Sequence, residues 1–226
     1  MNEPILVVED DPAINRLICE TLAAAGYRPE PAYSGSEASL LLARGGWRLV
    51  ILDLMLPGKT GEQVLTELRQ TSSAPVIVAS ARVDKATTVE LLAAGADDYV
   101  TKPFDLGELV ARVGAHLRRS QEYVPGPRGE RAWLDIVLDP DTREVEVAGR
   151  PIRLTAHEFD LLAVLISQPR RVFSRQSLYE QVWGGAFVND AKTVSVHIGN
   201  LRAKLNAASA HRHITTVWGV GFRLAE

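Results

Sequence analysis

Short apolar runs at 5–8, 50–52, 75–79 and 99–100, each followed within two residues by a polar side chain, constrain this chain more than any other feature. Segments with helical patterning near 12–25, 35–44, 61–70, 84–94 and 105–119 separate them, and 28–33 is a weaker candidate for a second strand. Runs this short, apolar throughout, fit strands covered on both faces. Alternating strands and helices predict right-handed crossovers and an α/β doubly wound parallel sheet of five strands. Ile14, Leu17, Ile18 and Leu22 recur at helical spacing and are expected to face that sheet.

In such sheets ligands bind beyond the carboxyl ends of the strands. Glu9, Asp10 and Asp11 follow the first run, and Asp53 follows the 50–52 run. Carboxylates gathered in one crevice repel one another unless a cation neutralises them, so the cluster predicts a hard divalent ion such as Mg²⁺. A plainer alternative is that each acid caps the following helix. Asp11 ahead of Pro12 suits that role, but one cap does not account for Glu9, Asp10 and Asp53 together. Ser80 ends the 75–79 run and Lys102-Pro103 follows the 99–100 run. Taken singly, Lys102 could serve a buried ion pair and Ser80 a helix cap. Together, a carboxylate beside a metal, a fixed ammonium and a hydroxyl make a phosphoryl-transfer site, with Asp53 as the nucleophile.

The pattern changes past 120–130, where Pro125-Gly126-Pro127 and Gly129 mark a linker between a domain at 1–119 and one at 131–226. Residues 136–138 and 145–147, with Asp139-Pro140-Asp141 between them, read as an antiparallel hairpin, and Gly149-Arg150 as a further turn. Thr155 and Glu158 have capping-box spacing ahead of Phe159, Leu162 and Ile166. Further helices are expected over 174–183 and 191–206, the last with Val194, Ile198, Leu201 and Leu205 on its core stripe, and a hairpin over 215–223. Strands, three helices and a terminal hairpin describe an α+β winged helix-turn-helix domain.

Composition narrows the class. The 226 residues are 46% hydrophobic and 23% charged, with one cysteine, Cys19. That excludes an internal disulfide and favours a reducing compartment. No apolar stretch approaches the roughly 20 residues that span a bilayer, and Met1-Asn2-Glu3-Pro4 does not resemble a signal peptide. A cytoplasmic protein without a membrane partner is expected. Net charge is −3, yet residues 170–223 carry eight Lys/Arg against Glu180 and Asp190. Such a local excess suits a polyanion such as double-stranded DNA.

The texts ILVVEDD (5–11), LVILDLMLPGKTG (49–61), PVIVASAR (75–82) and GADDYVTKPF (95–104) closely resemble the receiver domains of two-component response regulators. LTAHEFDLL (154–162), VFSRQSLYEQVWG (172–184), KTVSVHIGNLRAKL (192–205) and VWGVGFRL (217–224) resemble the winged-helix effector of the OmpR/PhoB subfamily. The resemblance implies a flavodoxin-like receiver in which Asp53 accepts a phosphoryl group from a sensor histidine kinase. Asp10, Asp53 and the Met55 carbonyl would hold Mg²⁺, with Glu9 acting through water. Ser80, Lys102 and Tyr99 would bind and signal the phosphoryl group, and Lys102-Pro103 would be cis. A homodimer would form on phosphorylation through Asp98 with Arg112 and Asp97 with Arg119; Glu108 stands opposite Thr88, where a basic residue is usual.

At the DNA end, Lys192, Ser195, Val196, Gly199, Asn200 and Ala203 are expected on the outward face of the last helix. Asn200 is suited to an adenine edge. Arg170, Arg171, Arg175, Arg202, Lys204, Arg212 and Arg223 would touch phosphates, with Thr216 in the wing. Trp218 stands where an arginine commonly reaches the minor groove; it either contacts DNA or packs on the wing's own base. RNA polymerase is a further expected partner. The chain is not expected to be an enzyme in the ordinary sense. An aspartyl-phosphate hydrolase of the haloacid dehalogenase type is disfavoured, because Met55 stands where such enzymes place a second acid. A constitutive DNA-binding regulator with an unphosphorylated receiver is the other alternative, disfavoured by the complete set of Asp53, Ser80 and Lys102.

Overall fold

The computed structural model describes residues 3–81, 85–119, 131–184 and 191–225. The chain divides into two compact units between Arg118 and Arg119. The expected linker over 120–130 lies outside the described residues.

The first unit alternates β1 (Pro4–Val8), α1 (Pro12–Ala24), β2 (Arg28–Ala32), α2 (Gly35–Ala43), β3 (Leu49–Asp53), α3 (Gly61–Thr71), β4 (Val76–Ser80), α4 (Lys85–Ala93), β5 (Asp98–Thr101) and α5 (Leu106–Arg119). The strands form one parallel sheet in the order β2-β1-β3-β4-β5. Alternate strand residues point to opposite faces, and the core divides accordingly. Ile5, Val7, Ile51 and Ile77 pack against Ile18 and Leu22 of α1 and Leu109, Val113 and Leu117 of α5. Leu6, Val8, Val50, Leu52 and Val78 pack against Leu41 of α2, Val64, Leu65 and Leu68 of α3, and Leu91 of α4.

Helix α1 departs from expectation. Ile18 and Leu22 are buried, but Ile14 is 36% and Leu17 50% exposed, and Asn15 takes the inward position. The cause is a demand for hydrogen bonds. Asn15 Nδ2 donates to the carbonyls of Glu9 and Ala32, each at 3.0 Å, and more weakly to Val7 at 3.4 Å. The amide therefore closes the ends of β1 and β2 beneath the acidic crevice.

The second unit opens with an antiparallel sheet in the order β6 (Arg131–Trp133), β7 (Ile136–Asp139), β8 (Glu144–Val147) and β9 (Arg150–Pro151). The expected turn lies at Ala148 and Gly149, one residue earlier than Gly149-Arg150, and β9 starts at Arg150. Three helices follow, α6 (Ala156–Ser167), α7 (Arg175–Trp183) and α8 (Ala191–Ala208), with β10 (Phe173–Ser174) before α7. The terminal hairpin β11 (Ile214–Val217) and β12 (Gly221–Leu224) pairs with β10 in the order β10-β12-β11. Gly221 permits that pairing, since a Cβ there would lie 1.9 Å from the Phe173 carbonyl oxygen.

Helix α6 begins with the expected capping box. Thr155 Oγ1 accepts from Glu158 N, and Glu158 Oε2 accepts from Thr155 N at 2.8 Å. Every residue from His157 to Ile166 is buried, which marks α6 as the helix around which the unit packs. Val194, Ile198, Leu201 and Leu205 of α8 join its core, as their spacing predicted. No helix among the described residues is long and apolar enough to cross a membrane.

Replacing Asn15 by leucine should destabilise the first unit by about 1–3 kcal/mol, because the Glu9 and Ala32 carbonyls at two strand ends each lose a donor, Ala32 keeping only Glu9 N. Urea unfolding checks this: the midpoint should fall with the slope unchanged.

Candidate functional site

The sheet brings the sequence-predicted acids together. Register pairs Val8 with Leu52, so Glu9 and Asp53 leave neighbouring strands side by side. Carboxylate oxygens of Glu9, Asp10 and Asp53 lie within 4.8 Å of one another, with Glu9 and Asp53 buried and Asp10 exposed. Lys102, two residues past Val100 of β5, reaches over them. Its Nζ donates to Asp53 Oδ2 and Glu9 Oε2, both at 2.5 Å. The Lys102-Pro103 peptide is cis. Met55 N donates to Asp53 Oδ1 at 3.0 Å, anchoring the other carboxylate oxygen. Ser80 is buried at the end of β4, and Tyr99 on β5 packs against the core beside α3 and α4. Gly61, at the start of α3, allows a close approach to this strand end, because a Cβ there would lie 2.2 Å from the Asp53 carbonyl oxygen.

The charges compete in a definite way. Burial pushes the Glu9 carboxyl above its ordinary range, the Lys102 hydrogen bond opposes this, and the Asp53 charge adds to the upward push. Burial acts to depress the Lys102 ammonium, but its bonds to Asp53 and Glu9 outweigh it and leave the pKa raised. Three hard oxygen donors half enclosed by the sheet suit a divalent cation. Asp11 belongs to none of this. Its carboxylate caps α1, accepting from Ala13 N at 2.8 Å and Ile14 N at 3.0 Å, and those bonds lower its pKa.

Along β5 and α5 one of the predicted pairs, Asp98 with Arg112, is found within a single chain, and Arg112 also holds Glu108. Arg112 Nη1 donates to Asp98 Oδ2 at 2.8 Å and Nη2 to Glu108 Oε1 at 2.8 Å. His116 Nε2 lies 3.3 Å from the same Asp98 oxygen, a neighbour that the sequence did not announce. Asp97 requires a correction: its carboxylate is 0% exposed and bound by Arg69 Nη2 at 2.7 Å and Val76 N at 2.8 Å. It therefore locks α3 to the sheet and is removed from the expected intersubunit pairs. The Arg119 side chain lies outside the described residues.

In the second unit, Arg170, Arg171, Lys192 and Gly199 are exposed, and Val196, Asn200 and Arg223 are partly so. Arg171 lies over the Phe173 ring at 4.9 Å and Arg175 over Phe222 at 5.3 Å. Arg175 Nε also donates to Ser195 Oγ at 3.1 Å, and Arg202 Nη2 to Thr216 Oγ1 at 3.0 Å. Lys204 requires the second correction. Its Nζ donates to Glu158 Oε2 at 2.6 Å, and Glu158 is 1% exposed, so the ammonium serves a buried acid instead of facing a phosphate. Trp218 is 91% exposed, which rules out packing on the wing's own base.

These features are those of an acidic-pocket α/β domain joined to a winged helix, and similarity to known proteins extends that description. Residues 5–114 match the response regulator receiver domain family, and residues 149–224 match the C-terminal domain of transcriptional regulatory proteins. The response regulator MprA of Mycobacterium sp. strain KMS is 43% identical over 223 residues, covering 98% of this chain and 97% of its own. MprA of Mycobacterium bovis is 41% identical over 227 residues, covering 100% and 99%. The crystal structure of DrrB, an OmpR/PhoB homologue from Thermotoga maritima, matches over 100% of both chains with 29% identity and a TM-score of 0.52. The chain is a two-component response regulator of the OmpR/PhoB type. Regulators of this type work with sensor kinases and bind DNA, and receiver domains generally bind Mg²⁺ at such an acidic pocket.

Asp98 supplies a pH test. Burial acts to raise its pKa, but His116 and Arg112 outweigh burial and bring it down to about 2 from 3.8. A depressed carboxyl contributes stability that is present above its unfolded pKa and lost as pH falls through the folded value. Asp98→Asn should therefore remove about 2 kcal/mol at pH 7. It should also flatten the stability profile between pH 4 and 2, as followed by denaturant unfolding across that range.

Proposed function

We propose that the protein is a phosphorylation-dependent transcriptional regulator whose input is Asp53. The observation that carries this reading is the Lys102 ammonium within hydrogen-bond distance of both Asp53 and Glu9, beside Asp10 and with Ser80 at the adjoining strand end. A carboxylate oxygen of Asp53 attacks the phosphorus of a sensor kinase phosphohistidine. A P–O bond forms as the P–N bond breaks, and the electron pair leaves on the kinase imidazole, which takes up a proton from solvent. Asp10, Asp53 and the Met55 carbonyl, with Glu9 through water, would hold Mg²⁺, which offsets charge on the phosphoryl oxygens when bound. Lys102 shares that role, freed from Asp53 Oδ2 once the oxygen is esterified. The Ser80 hydroxyl donates to a phosphoryl oxygen, and Tyr99 follows it inward.

That movement reshapes the face of α4, β5 and α5, where Asp98, Glu108 and Arg112 meet a second copy and form the active homodimer. The dimer presents two winged helices to double-stranded DNA. Lys192, Val196, Gly199 and Asn200 of α8 face the major groove, with Ser195 braced by Arg175, and Trp218 enters the adjoining minor groove. Arg170, Arg171, Arg175, Arg202, Arg212, Thr216 and Arg223 contact phosphates, and RNA polymerase is the downstream partner. The protein acts in the cytoplasm.

Incubation with Mg²⁺ and acetyl phosphate should label the wild type and leave Asp53→Asn unlabelled, as read by intact mass. Equal labelling of the variant would end the assignment. Duplexes selected from a random pool, with and without the phosphodonor, should bind more tightly in its presence.

A further inference from the structure

Residues 54–60 lead from β3 to α3, and this loop carries Met55, whose carbonyl the Mg²⁺ reading requires. Leu54 and Leu56 are buried in the core on either side, while Met55 itself is 64% exposed. Met55 N donates to Asp53 Oδ1 at 3.0 Å, which ties the start of the loop to the crevice. Its end is tied at α3, where Gly61 N donates to the Leu54 carbonyl at 3.1 Å and Thr60 caps the helix. Between these ties the Pro57 ring fixes its own φ, but Gly58, at φ +75°, is a pliable joint.

Lys59, the residue after that joint, is fastened twice. Its backbone lies so close to Gly35 of α2 that a Cβ on Gly35 would stand 2.1 Å from the Lys59 carbonyl oxygen. Its ammonium closes a triangle between two helices: Nζ donates to Ser39 Oγ of α2 at 2.8 Å and pairs with Glu67 Oε1 of α3. Ser39 Oγ donates in turn to Glu67 Oε2 at 2.9 Å. The Lys59 and Ser39 bonds hold the Glu67 carboxyl below the usual carboxylate range. An ammonium matched in this way is engaged within the triangle and is not a phosphoryl ligand. A loop residue that bridges two helices immobilises the joint that precedes it.

We propose that Lys59 is a positioning residue for the metal site, its triangle with Ser39 and Glu67 keeping the β3–α3 loop in the arrangement that offers the Met55 carbonyl. The inference rests on the Mg²⁺ reading above and extends it to three residues outside the acidic pocket. Apparent affinity for a ligand falls with the fraction of time that the competent arrangement is populated. A loop released at Lys59 populates it less, although no metal ligand has changed. The triangle is partly exposed, with the Lys59 side chain 25% and that of Glu67 46% accessible, so its effect is several-fold and not absolute.

The test is Mg²⁺ calorimetry on the full chain, with thermal melting in the absence of Mg²⁺ alongside. Lys59→Met keeps the apolar stem and removes the ammonium, and Glu67→Gln removes the acid. Each should weaken Mg²⁺ binding about fivefold and leave the melting temperature little changed. The double variant should be no weaker than either single one, and Lys59→Arg should keep the wild-type affinity. The signs separate the clamp from simple charge. Deleting a cation near the pocket would by itself strengthen Mg²⁺ binding and deleting an anion would weaken it, whereas loss of the clamp weakens binding in both variants. Opposite shifts, unchanged affinity in both variants, or a lowered melting temperature with affinity intact each overturn the proposal. A wild type that binds no Mg²⁺ overturns the metal reading and this proposal with it, a result distinct from failure of the clamp alone.

Discussion

Carboxylates converging at the ends of two adjacent parallel strands cannot remain ionised in a half-enclosed crevice without a cation, and the Lys102 ammonium supplies one here. The fold makes that meeting unavoidable. The strand order places β1 beside β3, and the pairing of Val8 with Leu52 aligns the residues that follow. A slip of one residue would turn the side chains of a strand to opposite faces, separating Glu9 from Asp53 and moving their apolar neighbours out of the core. Burial of Leu6, Val8, Val50 and Leu52 on one face and Ile5, Val7 and Ile51 on the other therefore sets the acid pair as well as the sheet.

How far the sequence could be read follows from the range of the interactions involved. Four of the five parallel strands were legible because each holds a short apolar run bounded by turns, whereas β2, with Arg28 and Glu30 among its five residues, was only a weaker candidate. The Thr155–Glu158 capping box was legible because its partners are three residues apart. Asn15 was not, since helical periodicity records which residues are apolar and not which buried carbonyls lack a donor. Asp97 and Arg69 are 28 positions apart in sequence and meet only in the packed unit. The same holds for Lys204 and Glu158, 46 apart. Strands β6 and β9 escaped because Arg131–Trp133 and Arg150–Pro151 are too short and polar to alternate.

The second unit spends part of its basic charge on itself. Glu158 and Asp160 are buried in the helix at its centre, and a buried acid left unpaired costs several kcal/mol. Lys204 compensates the first and Arg143 the second, Arg143 also lying over Phe159 at 4.3 Å. His213, wholly buried, meets Asp135 at 2.6 Å, and Ser209 donates to the other oxygen of that acid. A count of Lys and Arg over 170–223 therefore overstates what is available to a polyanion. Arg171 and Arg175 differ in kind: an aromatic ring beneath the guanidinium orients it without neutralising it, so both keep their charge.

The ion pairs of the receiver constrain how the proposed phosphorylation would act. Asp98 is already satisfied by Arg112 of its own chain, and Arg112 by Glu108. In a symmetric dimer each Arg112 that reaches across must first leave its own acid, so the number of pairs is conserved. Exchange of this sort aligns two copies and rejects others but supplies little net affinity. On the proposed reading, the free energy that favours an active dimer must therefore originate elsewhere. The crevice is the place where charge changes: esterifying Asp53 adds strong acceptor oxygens within reach of Lys102 and the Ser80 hydroxyl. In the proposed switch those new bonds, passed through β4 and β5 to Tyr99, would select the conformation in which the exchange occurs, and the exchanged pairs would then determine with whom.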